Sequence, residues 1–215
     1  DKSLTQFGDI QSAGRFWAKA TGKNVDAVTE AMSTVNGATD MLRSALAKQG
    51  GLAYEQPGPD AFPVLDDVIS IILDQRAIPT SAWLDGTTSG ESTPEEQLEC
   101  LMSKGIEAVN IIPDRNWNIS YTATKARKIM ELGRYTGVAK ALGLPINVGT
   151  ELNKPGQRFV DDFSAEPMKS LLPDYLAGAQ VMVGHTRLLR FANISYTDAS
   201  TKDMYPKRRD RNNTF

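Results

Sequence analysis

Apolar residues recur at helical spacing through the first fifty positions. Ile10, Ala13, Phe16, Trp17 and Ala20 form one stripe. After the turn Thr21–Gly22–Lys23–Asn24, a second stripe runs Val25, Val28, Met32, Val35, Leu42 and Leu46, in steps of three, four, three, seven and four. Those steps follow a 3.6-residue period, not the two-residue period of a strand. The expectation is a helical hairpin over 1–50, with Asn24 as an N-cap and Gly50–Gly51 as a stop. The proline-rich run 54–63 then reads as a loop.

From there the pattern alternates. Residues 64–75 place Val68, Ile69, Ile72 and Leu73 on a helical face, and 77–84 read as a strand ending in Asp85–Gly86. Residues 94–104 read as a helix with Thr93 as cap and Pro94 in its first turn. A strand follows over 108–112, a long helix over 122–142 closed by Gly143, and a strand over 145–149. A loop and helix cover 155–176, and a fourth strand is expected over 179–184. Leu52–Tyr54 is a weaker fifth candidate. Strands separated by helices imply right-handed crossovers and a parallel sheet. The uncharged runs Val109–Ile112 and Val181–Val183 suit burial on both faces. The fold class is therefore α/β, with parallel (β/α) units preceded by the hairpin. A closed barrel takes eight strands in roughly 250 residues, so the units amount to a partial TIM-like barrel or a small open sheet. The expected division is 1–50 hairpin, 51–195 barrel portion and 196–215 a basic tail, solvated or mobile.

Composition narrows the class. With 40% hydrophobic and 23% charged residues the 215-residue chain is globular in composition. A net charge of −2 gives no reason to expect nucleic acid or an anionic membrane surface as partner. No apolar run approaches membrane-span length. The single cysteine, Cys100, allows no intramolecular disulfide and reads as a small hydrophobe within its helix. A reducing, cytoplasmic compartment is expected. No P-loop, dinucleotide-binding glycine motif, CxxC or HExxH occurs. The chain opens at Asp1 without a signal peptide and ends in a basic run, and both ends read as cut.

Chemistry is expected where the strands end, because open α/β sheets and barrels build their sites at strand C-termini. The first strand delivers Asp85 and, beyond Gly86, Glu91. The second delivers Asp114, Arg115, Asn116 and Asn118; the third Glu151 and Asn153; the fourth His185 and Thr186. Glu151 at a strand end suits a metal ligand or base, or it pairs with Arg158. His185, the only histidine, suits a metal ligand or acid/base group, or a satisfied structural role. Arg115 suits a clamp on a carboxylate or phosphate, or a turn-fixing pair with Asp114. Trp117 walls a pocket or sits in the core. Asp85 belongs to a Ser/Thr-rich loop that caps a helix or closes over a ligand. Asp161 and Asp162 point about 100° apart if helical and read as solvated or capping residues.

Gly149–Thr150–Glu151 and Val181–Met182–Val183–Gly184–His185 resemble the later part of a metal-dependent hydrolase barrel. The resemblance is to the polymerase-and-histidinol-phosphatase (PHP) group, within the wider company of amidohydrolase-type barrels. It implies a (β/α) barrel with divalent metals (Zn, Mn or Fe) at the strand ends, Glu151 and His185 as ligands, and metal-activated water as nucleophile. The group's opening His–x–His and closing Asp–x–His have no counterpart here, so the remaining ligands would lie outside this chain. The implied activity is hydrolysis of a phosphoester or C–N bond in a small-molecule substrate. Two other readings stand beside it: a metal-free aldolase- or isomerase-like barrel with Glu151 as base and His185 as acid, and a non-catalytic module that binds a ligand or subunit. A partial barrel leaves sheet edges open, which predicts either a homo-oligomer or a missing part of the barrel that accompanies this chain.

Overall fold

The computed structural model describes residues 6–119, 122–152 and 157–215, with side chains unassigned at 122 and 123. Two compact units divide the chain, Asp1–Phe62 and Pro63–Phe215. The division falls at the end of the proline-rich run.

Where two helices were expected, the described residues of the first unit include α1 (Ile10–Thr21), α2 (Val25–Ala31) and α3 (Val35–Leu46). Asp9 caps α1 through Ser12 N–H at 2.7 Å, and Gly22 closes it in the left-handed region. The second stripe breaks at Met32–Thr34 because Thr34 turns extended and its hydroxyl accepts the N–H of Gly37, starting a new helix. The unit's core is Ala13, Ala18, Val28, Met32 and Met41, with Trp17 partly buried against it. Phe16 lies half exposed, rotated off the face the stripe predicts. Asn24 caps α2, its Oδ1 accepting from Asp26 N and Ala27 N at 2.9 and 3.1 Å. Asn24→Ala is expected to lower this unit's stability by about 0.5–2 kcal/mol, read as an earlier loss of helical ellipticity on heating.

The second unit runs α4 (Leu65–Asp74), β1 (Thr80–Trp83), α5 (Pro94–Lys104), β2 (Ala108–Ile111), α6 (Asp114–Trp117), α7 (Thr122–Ala141), β3 (Ile146–Val148), α8 (Glu166–Lys169), α9 (Leu172–Ala192), α10 (Ala199–Met204) and α11 (Arg208–Thr214). The three strands form an open parallel sheet in the order β1-β2-β3. The α/β class with a parallel sheet therefore holds. Central β2 buries Ala108, Val109 and Ile111 completely, and Trp83, Leu98, Leu132, Tyr135, Ala139, Ile146, Met168 and Tyr175 pack around it. Trp83 stacks on Tyr135 with ring centroids 4.5 Å apart. Pro94 starts α5 as expected, but the Thr93 side chain makes no capping bond. Cys100, read from the sequence as a small hydrophobe within its helix, is exposed.

Two sequence expectations change here. Leu52–Tyr54 forms no strand, and 179–184 belong to α9, a 21-residue helix. The buried residues Tyr175, Gly178, Val181 and His185 recur at three, three and four, while Val183 is exposed. Helix α9 takes the place a fourth strand would need. The pairing bonds of β3 toward β2 use Pro145 C=O and Gly149 N–H, so Ile146 turns its N–H and C=O outward. Gly178 lies directly against those groups: a Cβ there would overlap the Ile146 carbonyl oxygen. The helix thus covers the outer edge of the sheet.

The basic segment near the end is folded, not solvated. Glu107, immediately before β2, accepts Lys202 Nζ at 2.7 Å, Arg208 Nε at 3.2 Å and an Arg211 guanidinium nitrogen at 2.9 Å. Burial alone would raise the Glu107 carboxyl, but the Lys202 hydrogen bond and the three positive charges hold it below the usual carboxylate range. Arg211 is buried, its guanidinium carbon 4.6 Å from the centre of the Tyr196 ring. Among the described residues no helix is long and apolar enough to cross a membrane.

Candidate functional site

Strand β1 runs out at Trp83, and a turn through Gly86, at φ 71°, brings Glu91 back beneath it. The Glu91 carboxylate accepts the backbone N–H groups of Leu84 and Gly86 at 2.8 and 3.2 Å. Asp85 is committed as well. It pairs with Lys128 at 2.7 Å and accepts the backbone N–H of Thr87 at 3.0 Å. Burial works to raise its carboxyl, yet Lys128 and Thr87 hold it below the ordinary aspartate value. Both acidic groups fasten the loop after β1 and leave little capacity for a ligand.

Strand β2 ends at Ile111, and the polar residues beyond it, Asp114–Trp117, form the short helix α6. Asn116 is fully buried, and its Nδ2 donates to the carbonyls of Leu84 and Ile112, both at 3.3 Å. It ties the ends of β1 and β2 together through Nδ2, while its Oδ1 is buried with no partner among the described residues. Asp114 accepts Asn118 Nδ2 at 3.0 Å. Arg115 reaches past Asp114 to the end of β3, where it forms an ion pair with Glu151. Glu151 therefore pairs with Arg115, while Arg158 pairs with Asp162 at 3.3 Å.

Asp161, expected to be a solvated or capping residue, is buried. Its Oδ1 accepts Trp117 Nε1 at 3.0 Å and Asp162 N–H at 2.7 Å. Burial, with some help from the Asp114 charge, pushes its carboxyl above the ordinary aspartate value despite those bonds. Asp114, Arg115, Thr150, Glu151, Arg158 and Asp161 line one small cavity of ≈ 20 Å³. That is room for about one water. A substrate must therefore open the Arg115–Glu151 pair to enter. A larger groove of ≈ 970 Å³ runs between α9, α11 and the start of β3. It lies away from the strand C-termini, and only Asp174, Lys140, Arg187 and Arg209 bring charged side chains to it.

His185 is not at this rim. It faces inward from α9, and its Nδ1 accepts the backbone N–H of Tyr196 at 3.2 Å. Tyr196 lies against Arg211, which binds Glu107 just before β2. Asp198, whose charge acts on His185, pairs with Arg76 before β1 at 2.7 Å. His185 therefore sits at the N-terminal end of the sheet, and Glu151 at the C-terminal end. Burial lowers the His185 pKa and favours the neutral ring its hydrogen bond requires. Thr186 is exposed and bonds back to Met182 C=O along its own helix. Asn153 lies outside the described residues.

The implied metal centre does not fit this arrangement. Glu151 is engaged by a guanidinium, His185 lies at the other end of the sheet, and among the described residues no three His, Cys, Asp or Glu side chains are grouped to hold an ion. No family model, curated protein or solved structure matches the chain.

Proposed function

We propose that the chain is a small-molecule enzyme of the metal-free, acid–base kind, working at the C-terminal rim of β2 and β3 on a substrate bearing a carboxylate or phosphate. The observation that carries this reading is the Arg115–Glu151 pair, which bridges the two strand ends at the wall of one cavity. A guanidinium fork matches a carboxylate or phosphate with two parallel hydrogen bonds. A ligand anion that takes Arg115 displaces Glu151 and leaves it an uncompensated carboxylate beside the substrate, ready to accept a proton. Ligand entry and base activation become one event. The acid assigned to His185 from sequence has no place here.

The C-terminal rim agrees with how parallel (β/α) folds build sites. A partial TIM-like barrel is part of the proposal only as growth beyond β1, since α9 covers the outer edge of β3.

Inorganic sulfate, standing in for a phosphate group, and malonate test the reading by calorimetry on the full chain. Saturable binding is expected, and Arg115→Ala should weaken it by about 1.5–3 kcal/mol, the worth of hydrogen bonds to a charged group, roughly tenfold or more. Glu151→Gln should tighten binding, because the internal competitor for Arg115 loses its charge. Equal affinity in wild type and Arg115→Ala would overturn the proposal.

A further inference from the structure

Resting on that reading of the rim, we infer that Asp161 is the site's neutral acid: its Oδ2 carries a proton and donates it in a hydrogen bond to an oxygen of the bound oxyanion. Oδ1 accepts two donors, Trp117 Nε1 and Asp162 N–H. Oδ2 is buried and completes no hydrogen bond among the described residues. The nearby Asp114 amide exerts only a weak pull toward the charged form.

A buried carboxylate with one bare oxygen is costly. A carboxylic acid with the same two bonds to Oδ1 keeps both donors satisfied and holds one O–H in reserve. The charged groups around it leave it in that state. Arg115 is paired with Glu151 and Arg158 with Asp162, so neither cation belongs to Asp161. Asp114 adds negative charge, and the buried Tyr175 hydroxyl on α9 is neutral, its own burial pushing its pKa well above the ordinary tyrosine value.

The inference assigns the ligand class more closely. The Arg115 guanidinium and the Asp161 O–H are donors in a wall that also carries the Asp114 and Glu151 carboxylates, and together they suit one oxyanion group. It also couples binding to protons. When an oxyanion takes Arg115, Asp161 faces both the ligand charge and the released Glu151. Two more negative charges raise its affinity for the proton it holds. Oxyanion binding should therefore draw a proton from solvent wherever Asp161 is partly ionised in the free protein.

The test is a carbon-13 carboxyl titration of the full chain, with Asp161 assigned by its absence in Asp161→Asn, run without and with saturating sulfate. Sulfate stays a dianion over the range in which carboxylates titrate, so any proton taken up belongs to the protein. The expected midpoint of Asp161 lies above the ordinary aspartate value and moves up again with sulfate, by about one unit. Asp161→Asn, which mimics the neutral acid with an N–H donor, should bind sulfate with an affinity that varies less with pH than that of the wild type. Asp161→Ala should bind it about tenfold more weakly. If sulfate binds through Arg115 while the Asp161 midpoint stays put, the inference falls and the rim reading stands. If neither sulfate nor malonate binds, both fall.

Discussion

Replacing Glu107 by alanine is expected to destabilise the Pro63–Phe215 unit by about 3–5 kcal/mol, the usual consequence of removing one partner from a buried ionic cluster. Its three cations differ in exposure. The Lys202 and Arg208 side chains are 37% and 20% exposed and can turn to water, but Arg211 is only 5% exposed. Arg211 cannot leave without giving up its place against Tyr196, and its Nε already lacks a partner. Loss of Glu107 would strand that charge and loosen α10 and α11 together. Glu107→Gln keeps the volume and one acceptor and should cost less. Urea unfolding of the three proteins, followed by tryptophan fluorescence, gives the ranking. A midpoint for Glu107→Ala close to wild type would show that the cluster contributes specificity rather than stability.

The same group sets an acid limit. Glu107 titrates lower folded than unfolded, so its contribution is complete above the ordinary glutamate value. It declines as pH falls below that value and is gone once pH drops through the lowered folded-state value. In Glu107→Gln that part of the pH dependence of stability should be missing.

Gly178→Ala is the second large effect, near the upper end of the about 1–3 kcal/mol that overpacking costs. The added methyl would meet the carbonyl oxygen, carbonyl carbon and amide nitrogen of Ile146, all backbone atoms. A side chain could rotate away, but a paired strand cannot shift without breaking its bonds to β2. Gly133→Ala and Gly137→Ala in α7 are the controls. Neither methyl would meet anything within 4 Å, so each should stabilise the helix by about 0.4–1 kcal/mol. Opposite signs in thermal melts would separate the edge contact from general glycine effects. A neutral Gly178→Ala would mean that α9 does not press on the strand edge as described.

Much of the second unit was legible from local signals. Strands 80–83, 108–111 and 146–148 lie inside the ranges their apolar runs predicted, and Gly105 and Gly143, both at positive φ, close the helices before the last two. The misreading came at Val181–Gly184. A short apolar run before a polar residue has the same local appearance in a strand and in a buried helix segment. Its helical nature shows only when Tyr175, Gly178, Val181 and His185 are taken together as one face. The error moved His185 from the far end of the sheet to the rim and created a metal pair that the fold keeps apart.

The rim itself was half visible. Arg115 and Glu151 stood out because both follow strands, and parallel strands in register bring their C-terminal ends together. Asp161 carried no such mark. Its neighbour Asp162 is solvent-facing, and nothing local distinguishes the two carboxylates. What selects Asp161 is its burial and the bond it accepts from Trp117, made across 44 residues of chain.

By itself, then, the sequence determined the α/β class, the parallel sense of the strands in its clearest runs, the Asn24 cap, the Gly143 stop and a polar rim, because each depends on periodicity or on a residue's own backbone preference. Only the tertiary structure decided which charges meet. Glu107 is joined to Arg211, Glu151 to Arg115 and His185 to Tyr196 by packing between elements distant in sequence, and burial, which sets the state of Asp161, does not exist until those elements are in place.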